Sequence, residues 1–156
     1  MSRNEVSDSG HETGWLVNEF GQRVGVPVDW HPAVPPGPVT LAGRWCSVVP
    51  LDLAHVPDLY AAFVPGPPGQ WTYLTFGPCT SQAEVAEVVS GYLANPGFVS
   101  FAILDAGGRA RGIAAYLRID PAIGTLEVGG ILLGEGLRRT AAATEAMWLL
   151  ARNAFE

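Results

Sequence analysis

The sequence predicts an α/β protein of the α+β kind, an antiparallel three-strand meander combined with helices. Three observations carry this. Residues 98–133 hold three apolar runs separated by the turn sequences Asp105-Ala106-Gly107-Gly108 and Asp120-Pro121-Ala122-Ile123-Gly124. Ser81-Gln82-Ala83-Glu84 is a capping box, in which Ser and Glu each satisfy a free N–H at a helix start. The segment after Thr140 is rich in alanine and keeps helical spacing to the last residues.

The elements follow in order. Residues 1–13 are polar and are expected to be disordered. Residues 14–40 carry Trp15, Phe20 and Trp30 among glycines and prolines. Pro27, Pro32, Pro35, Pro36 and Pro38 exclude regular helix or central strand there. The expected division is a tail and extended arm over 1–40 and a folded domain over 41–156. Residues 41–51 read as a strand, with Val48 and Val49 favouring it. Asp52 caps a short helix to about Phe63, with Val56, Leu59, Tyr60 and Phe63 on one face. Pro65-Gly66-Pro67-Pro68-Gly69 forces a loop, and 71–76 is a short aromatic strand or loop. The helix after Ser81 places Val85, Val88, Val89, Tyr92 and Leu93 on one side and stops at Asn95-Pro96-Gly97. Strands over 98–104, 111–119 and 125–133 form the meander. The last helix puts Ala143, Met147, Leu150 and Ala151 on one face. The order is β-α-α-β-β-β-α.

Bulk properties exclude several classes. The 156 residues, 48% hydrophobic, support one domain with a core. Only 15% are charged, against about 25% in typical domains, which points to covered surface or a missing piece. A net charge of −6 argues against broad nucleic-acid binding and suits a cationic or amine substrate. Cys46 and Cys79 are isolated and read as reduced thiols. His11, His31 and His55 have no metal-binding spacing, so no metal is expected. No apolar run reaches the ~18 residues of a membrane span. The first ten residues lack a signal-peptide core, so a cytoplasmic protein without a membrane partner is expected.

The richest stretch runs from Ile131 to Ala146. An apolar strand enters a Gly-flanked turn with Arg138 and Arg139, and the turn opens a helix of small residues. Such a helix start presents free N–H groups and a positive dipole end, which suits an anion. Gly129-Gly130, just upstream, weakens the strand and suits a bulge, a Gly pair that merely relieves crowding being the alternative.

Taken with Asn18-Glu19-Phe20-Gly21, Trp71-Thr72-Tyr73-Leu74, 112–120, Glu127-Val128-Gly129 and 138–147, this order resembles the first part of the GNAT N-acetyltransferase fold (the acyl-CoA N-acyltransferase fold). The nearer resemblance is to its RimJ/RimL-like branch, which acetylates protein N-termini and other primary amines. It covers roughly 15–156. The family signature at the strand–helix turn is Q/R-x-x-G-x-G/A. Here Arg138 and Ala143 fit it, and Ala141 stands where glycine is usual. The resemblance implies that Arg138, Arg139, Thr140, Ala141, Ala142, Ala143 and Thr144 hold the pyrophosphate of acetyl-CoA. It implies that the backbone of Ile131, Leu132 and Leu133 meets the acetyl and pantetheine portion. Glu127 would take a proton from the substrate amine, because an ammonium is not a nucleophile. A solvent-facing Glu127, or one paired with Arg118, stays open. Trp71 and Tyr73 would line the acceptor pocket, simple packing being the alternative for each.

By the same resemblance the domain is expected to be incomplete at its C-terminal end, lacking the strands that form the cofactor's other wall and the residue that protonates the leaving thiolate. The expected partners are a small-molecule or peptide amine and, through exposed apolar surface, a second copy or a complementing chain. Two readings follow. One is an N-acetyltransferase, inactive as a fragment or complemented by a second polypeptide, with the basic turn facing an open groove. The other is a non-catalytic protein-interaction module of the same fold.

Overall fold

The computed structural model describes residues 14–156. The expected disorder of 1–13 lies outside the described residues. The described chain up to His31 and Pro32–Glu156 are two compact units. In the first, β1 (Leu16–Val17) and β2 (Arg23–Val24) pair antiparallel. The Asn18 carboxamide oxygen accepts the N–H groups of Phe20 and Gln22 and so closes the turn between them.

The second unit is built on a five-stranded antiparallel sheet, in spatial order β3 (Leu41–Ala42), β4 (Cys46–Pro50), β5 (Val99–Asp105), β6 (Ala110–Asp120) and β7 (Thr125–Leu133). Residues alternate between its faces. Ala102, Ile113 and Ala115 face α1 (Val56–Phe63) and α2 (Gln82–Ala94), whose Leu59, Phe63, Val85 and Val89 complete one core. Phe101, Ile103, Ala114 and Tyr116 face α3 (Ala141–Phe155), whose Ala146, Leu149 and Leu150 complete the other. The Tyr116 hydroxyl is buried in this second core. It donates to the Leu150 carbonyl at 2.6 Å and accepts from the Asn153 amide at 3.2 Å.

The strands and helices of the meander stand where the sequence puts them, and the Ser81 capping box is formed with Glu84. Four details differ, the first being that Leu93, expected on the packed side of α2, is 46% exposed. Residues 41–51 form two strands with a tight turn at Gly43, Arg44 and Trp45 instead of one. The turn is held from a distance of a hundred residues. The Glu145 carboxylate on α3 accepts the N–H groups of Arg44, Trp45 and Cys46 at 2.7–3.0 Å. Residues Pro68–Trp71 are a 3-10 turn that carries Trp71 into the core, where it meets Phe63 and Phe76 edge to face. The buried stripe of α3 is Ala143, Ala146, Leu149 and Leu150. Met147 is only partly covered and Ala151 is exposed, because the helix is rotated by about one residue from the expected face.

Candidate active site

The site grows from an irregularity in β7. Ile113 on β6 pairs with Leu132, and Ala115 pairs with Gly129, so two steps on β6 face three on β7. The extra residue is a β-bulge at Gly130-Ile131. Gly130 has φ +57, a left-handed backbone that glycine adopts without strain. The hydroxyl of Tyr92, from α2, donates to the Gly130 carbonyl at 2.7 Å and fastens the bulge. A Cβ on Gly130 would lie 3.1 Å from the Tyr92 ring edge, so a side chain there would have to push the ring aside. Burial pushes the Tyr92 phenol up to about 12, so it stays a donor at neutral pH.

A cavity of about 870 Å³ opens beside the bulge, between the segment 73–79, α2 and β7. Phe76, Tyr92 and Phe98 stack edge to face at 6.0 and 5.6 Å along its wall. Gly130 and Ile131 close it on the β7 side. Tyr73 stands at its mouth, 97% exposed. Trp71 is 7% exposed and lies in the core behind the cavity wall, so the structure brings only Tyr73 of the two to the cavity. Cys79 also lines it. Its thiol is pushed up first by burial, then by the charges of Glu84 and Glu87.

Glu127 pairs across strands with Leu117, which lines the cavity, and a pair of this kind shares one face of the sheet. Its carboxylate meets the Arg118 guanidinium at 2.8 Å. Arg118 is itself the extra residue of a second bulge, on β6, with φ +51. Glu127 thus shares the sheet face of the cavity without lining it, and its carboxylate is paired with Arg118.

Past Leu133 the chain turns through Gly134 and reaches α3. The turn is braced throughout. Gly134 N–H donates to the Arg111 carbonyl at 2.8 Å, and Arg138 Nε donates to the Leu133 carbonyl at 3.1 Å. Thr140 is the N-cap, donating to the Leu137 carbonyl and accepting the Ala143 N–H at 3.2 Å. The Thr144 N–H bonds the Thr140 carbonyl. The N–H groups of Arg139, Thr140, Ala141 and Ala142 have no partner among the described residues. Ala141 is exposed at the first helical position, where the backbone carries a Cβ without strain. Arg139 is exposed and left-handed, with φ +58. A second cavity of about 490 Å³ lies at this helix end, bounded by the turn, the end of α1 and the Arg111–Asp105 pair. The Arg111 guanidinium holds the Asp105 carboxyl below its usual range. Four unpartnered amides at a positive helix end, beside an exposed guanidinium, form a donor set that suits a phosphate. Among the described residues no group of His, Cys, Asp and Glu is arranged to hold a metal ion.

Sequence reasoning missed the part played by Tyr92, read only as one member of an apolar helix face, and missed Glu87, Phe76 and Phe98 as cavity walls. A tyrosine on a buried stripe opposite a Gly-Gly strand was the one available signal, since a buried phenol needs an acceptor.

An open antiparallel sheet with two helices on one face and one on the other, a bulged strand and an amide-rich turn make up a fold seen in known acyltransferases. Known structures agree. The chain superposes on a GCN5-related N-acetyltransferase from Brucella melitensis at 32% identity and TM-score 0.77, over 81% of this chain and 59% of that one. It superposes on a probable GNAT-family acetyltransferase from Chromobacterium violaceum at 26% identity and TM-score 0.74, over 85% and 67% of the two chains. RimL, a ribosomal α-N-protein acetyltransferase, shares the fold at 18% identity and TM-score 0.57, over 77% and 68%. The chain thus has the GNAT fold and spans about three fifths to two thirds of the length of these relatives. No family model and no curated protein matches the sequence. No helix among the described residues is long and apolar enough to cross a membrane.

Proposed function

We propose that the chain carries the donor and acceptor surfaces of an N-acetyltransferase that moves acetyl from acetyl-CoA to a primary amine. The observation that supports this most is the position of the Gly130-Ile131 bulge. It lies between the 870 Å³ cavity and the strand end that leads into the amide-rich turn. A donor with its pyrophosphate at Arg139–Ala142 and its thioester at Ile131–Leu133 would meet an amine from the cavity there. Arg138 acts on the backbone, bracing the turn through Leu133, while the exposed Arg139 supplies the charge. Ala143 and Thr144 shape the helix start, their N–H groups being used by Thr140.

In this reading Glu127 accepts a proton from the ammonium before attack. The amine nitrogen then bonds to the carbonyl carbon, the carbon–sulfur bond breaks, and the proton shed by the nitrogen as it becomes an amide balances the one taken up by the thiolate. A strand N–H freed by the bulge stabilises the carbonyl oxygen as it gains charge. The chain contains no lysine, all nine of its basic residues being arginine, so acetylation of its own side-chain amines does not obscure the assay. The test is calorimetric titration with acetyl-CoA, followed by mass measurement of amine acceptors. Saturable binding that Arg139→Glu weakens supports the proposal. Absence of binding at millimolar acetyl-CoA overturns it for this chain.

A further inference from the structure

The cavity beside the bulge differs in character from the phosphate turn. Its aromatic wall of Phe76, Tyr92 and Phe98 is joined by two carboxylates, Glu84 and Glu87. No arginine lines it. The two carboxylates lie three residues apart on α2 and so share a helix face. Their roles differ. One oxygen of Glu84 is engaged in capping, accepting from the Thr80 N–H, the Thr80 hydroxyl and the Ser81 N–H. Glu87 has no hydrogen bond or ion pair among the described residues and stands exposed at the cavity wall. Both carboxylates line the cavity beside the buried Cys79, so their charge lies on the cavity side of α2. A cavity of this volume holds a small molecule. Aromatic faces and an unpaired carboxylate together favour a cation on an apolar body.

We propose that this cavity takes a diamine on an apolar spacer, with Glu87 holding one nitrogen as an ammonium while the other is presented at the Gly130-Ile131 bulge. The inference rests on the acetyl-transfer reading for the fate of the second nitrogen, but not for binding itself. Glu87 is then the residue that determines specificity. It favours a second positive charge and repels acceptors that carry a carboxylate at that end. The net charge of −6 adds a weaker, longer-range pull of the same sign.

The experiment uses the full chain and three probes of similar shape: p-xylylenediamine, benzylamine, and the analogue of the diamine with a carboxylate in place of one aminomethyl group. Binding is followed by chemical-shift changes of the Tyr73, Phe76 and Gly130 amides. The diamine is expected to bind about five-fold tighter than benzylamine, the upper end of what an exposed ion pair supplies. The carboxylate analogue is expected to bind weakest. Glu87→Gln should remove most of the diamine's advantage over benzylamine and leave the melting temperature unchanged. The diamine's advantage should shrink at high salt. Equal affinities for diamine and monoamine in the native chain, or an unchanged preference in Glu87→Gln, overturn the proposal. Titration with acetyl-CoA on the same samples separates the two readings. Diamine binding without acetyl-CoA binding removes the transferase reading and keeps the cavity assignment. Acetyl-CoA binding without discrimination among the amines does the reverse.

Discussion

The hydroxyl of Tyr92 and the carbonyl of Gly130 are 2.7 Å apart, 38 residues distant in sequence, and join α2 to the bulge of β7. The link is part-buried at the cavity wall, so its loss leaves the carbonyl without its protein donor. Tyr92→Phe should lower stability by about 1–2 kcal/mol. Gly130→Ala should lower it by a similar or larger amount, because a left-handed alanine costs about 1–2 kcal/mol and its Cβ presses on the Tyr92 ring. Urea denaturation of the two variants measures both. An unchanged midpoint for Gly130→Ala would show that the bulge can flatten.

Trp71 and Tyr73 separate cleanly by burial. Trp71→Ala opens the core against Phe63 and Phe76 and should remove about 3–5 kcal/mol, enough to threaten folding. Tyr73→Ala should stay within about 0.5 kcal/mol of the native chain, as a surface change does. It should alter amine binding at the cavity mouth. Thermal melts alongside amine titrations distinguish the two residues.

Stability should fall at both ends of the pH scale for different reasons. In acid, three carboxyls matter. The Thr80 N–H lowers Glu84 and the Arg111 guanidinium lowers Asp105. Burial would raise Glu145, but the N–H groups of Arg44, Trp45 and Cys46 outweigh it and hold it low. Folded values below the ordinary 4.5 for Glu and 3.8 for Asp give stability that is present above those values. It is lost as pH falls through the depressed values, because the unfolded chain then binds more protons. In base, burial first, then Glu145, raises the Cys46 thiol from 9.0 to about 12. Burial likewise raises Cys79 from 9.0 and Tyr92 from 10.0. Those contributions are complete below the ordinary values and are lost as pH rises towards the folded ones. The urea midpoint should therefore begin to decline near pH 9.0. Replacing both cysteines with alanine should move the onset to about 10.0.

At the turn, backbone and charge can be tested apart. Thr140→Val removes the N-cap of α3 and should cost about 1 kcal/mol. Arg139→Gly relieves a left-handed residue, so stability should hold or rise by up to about 1 kcal/mol. Acetyl-CoA affinity should nonetheless drop several-fold in Arg139→Gly, measured by calorimetry, if its guanidinium serves the phosphates. Full affinity in that variant would assign binding to the amides.

How far the sequence could be read depends on the range of the forces involved. The meander, its two turns, the Ser81 capping box and the Gly130 bulge were legible, because each is decided by a few neighbouring residues. The division of 41–51 into two strands was not. The turn at Gly43–Cys46 depends on Glu145, far along the chain, and nothing local announces a carboxylate arriving from α3. Trp71 was ambiguous for a related reason. Its aromatic neighbours look alike in sequence, and only the 3-10 turn at Pro68–Trp71 decides which ring goes inside. In the amide-rich turn before α3 the basic residues were visible. Which amides were left over became clear only once Thr140 was seen to take that of Ala143.

The sheet divides labour in a way that bears on how such a protein can diversify. The cavity wall is drawn mainly from the segment 73–79 and from α2, on one face, while the amide-rich turn opens the helix on the other. The two meet only across a few residues of β7. Substitutions at Tyr73 or Glu87 can therefore accumulate without touching the start of α3. On the acetyl-transfer proposal, lineages could exchange one amine for another while leaving donor handling untouched. Gly130 is the exception: a change there would be felt on both sides at once, which makes it the position least free to vary.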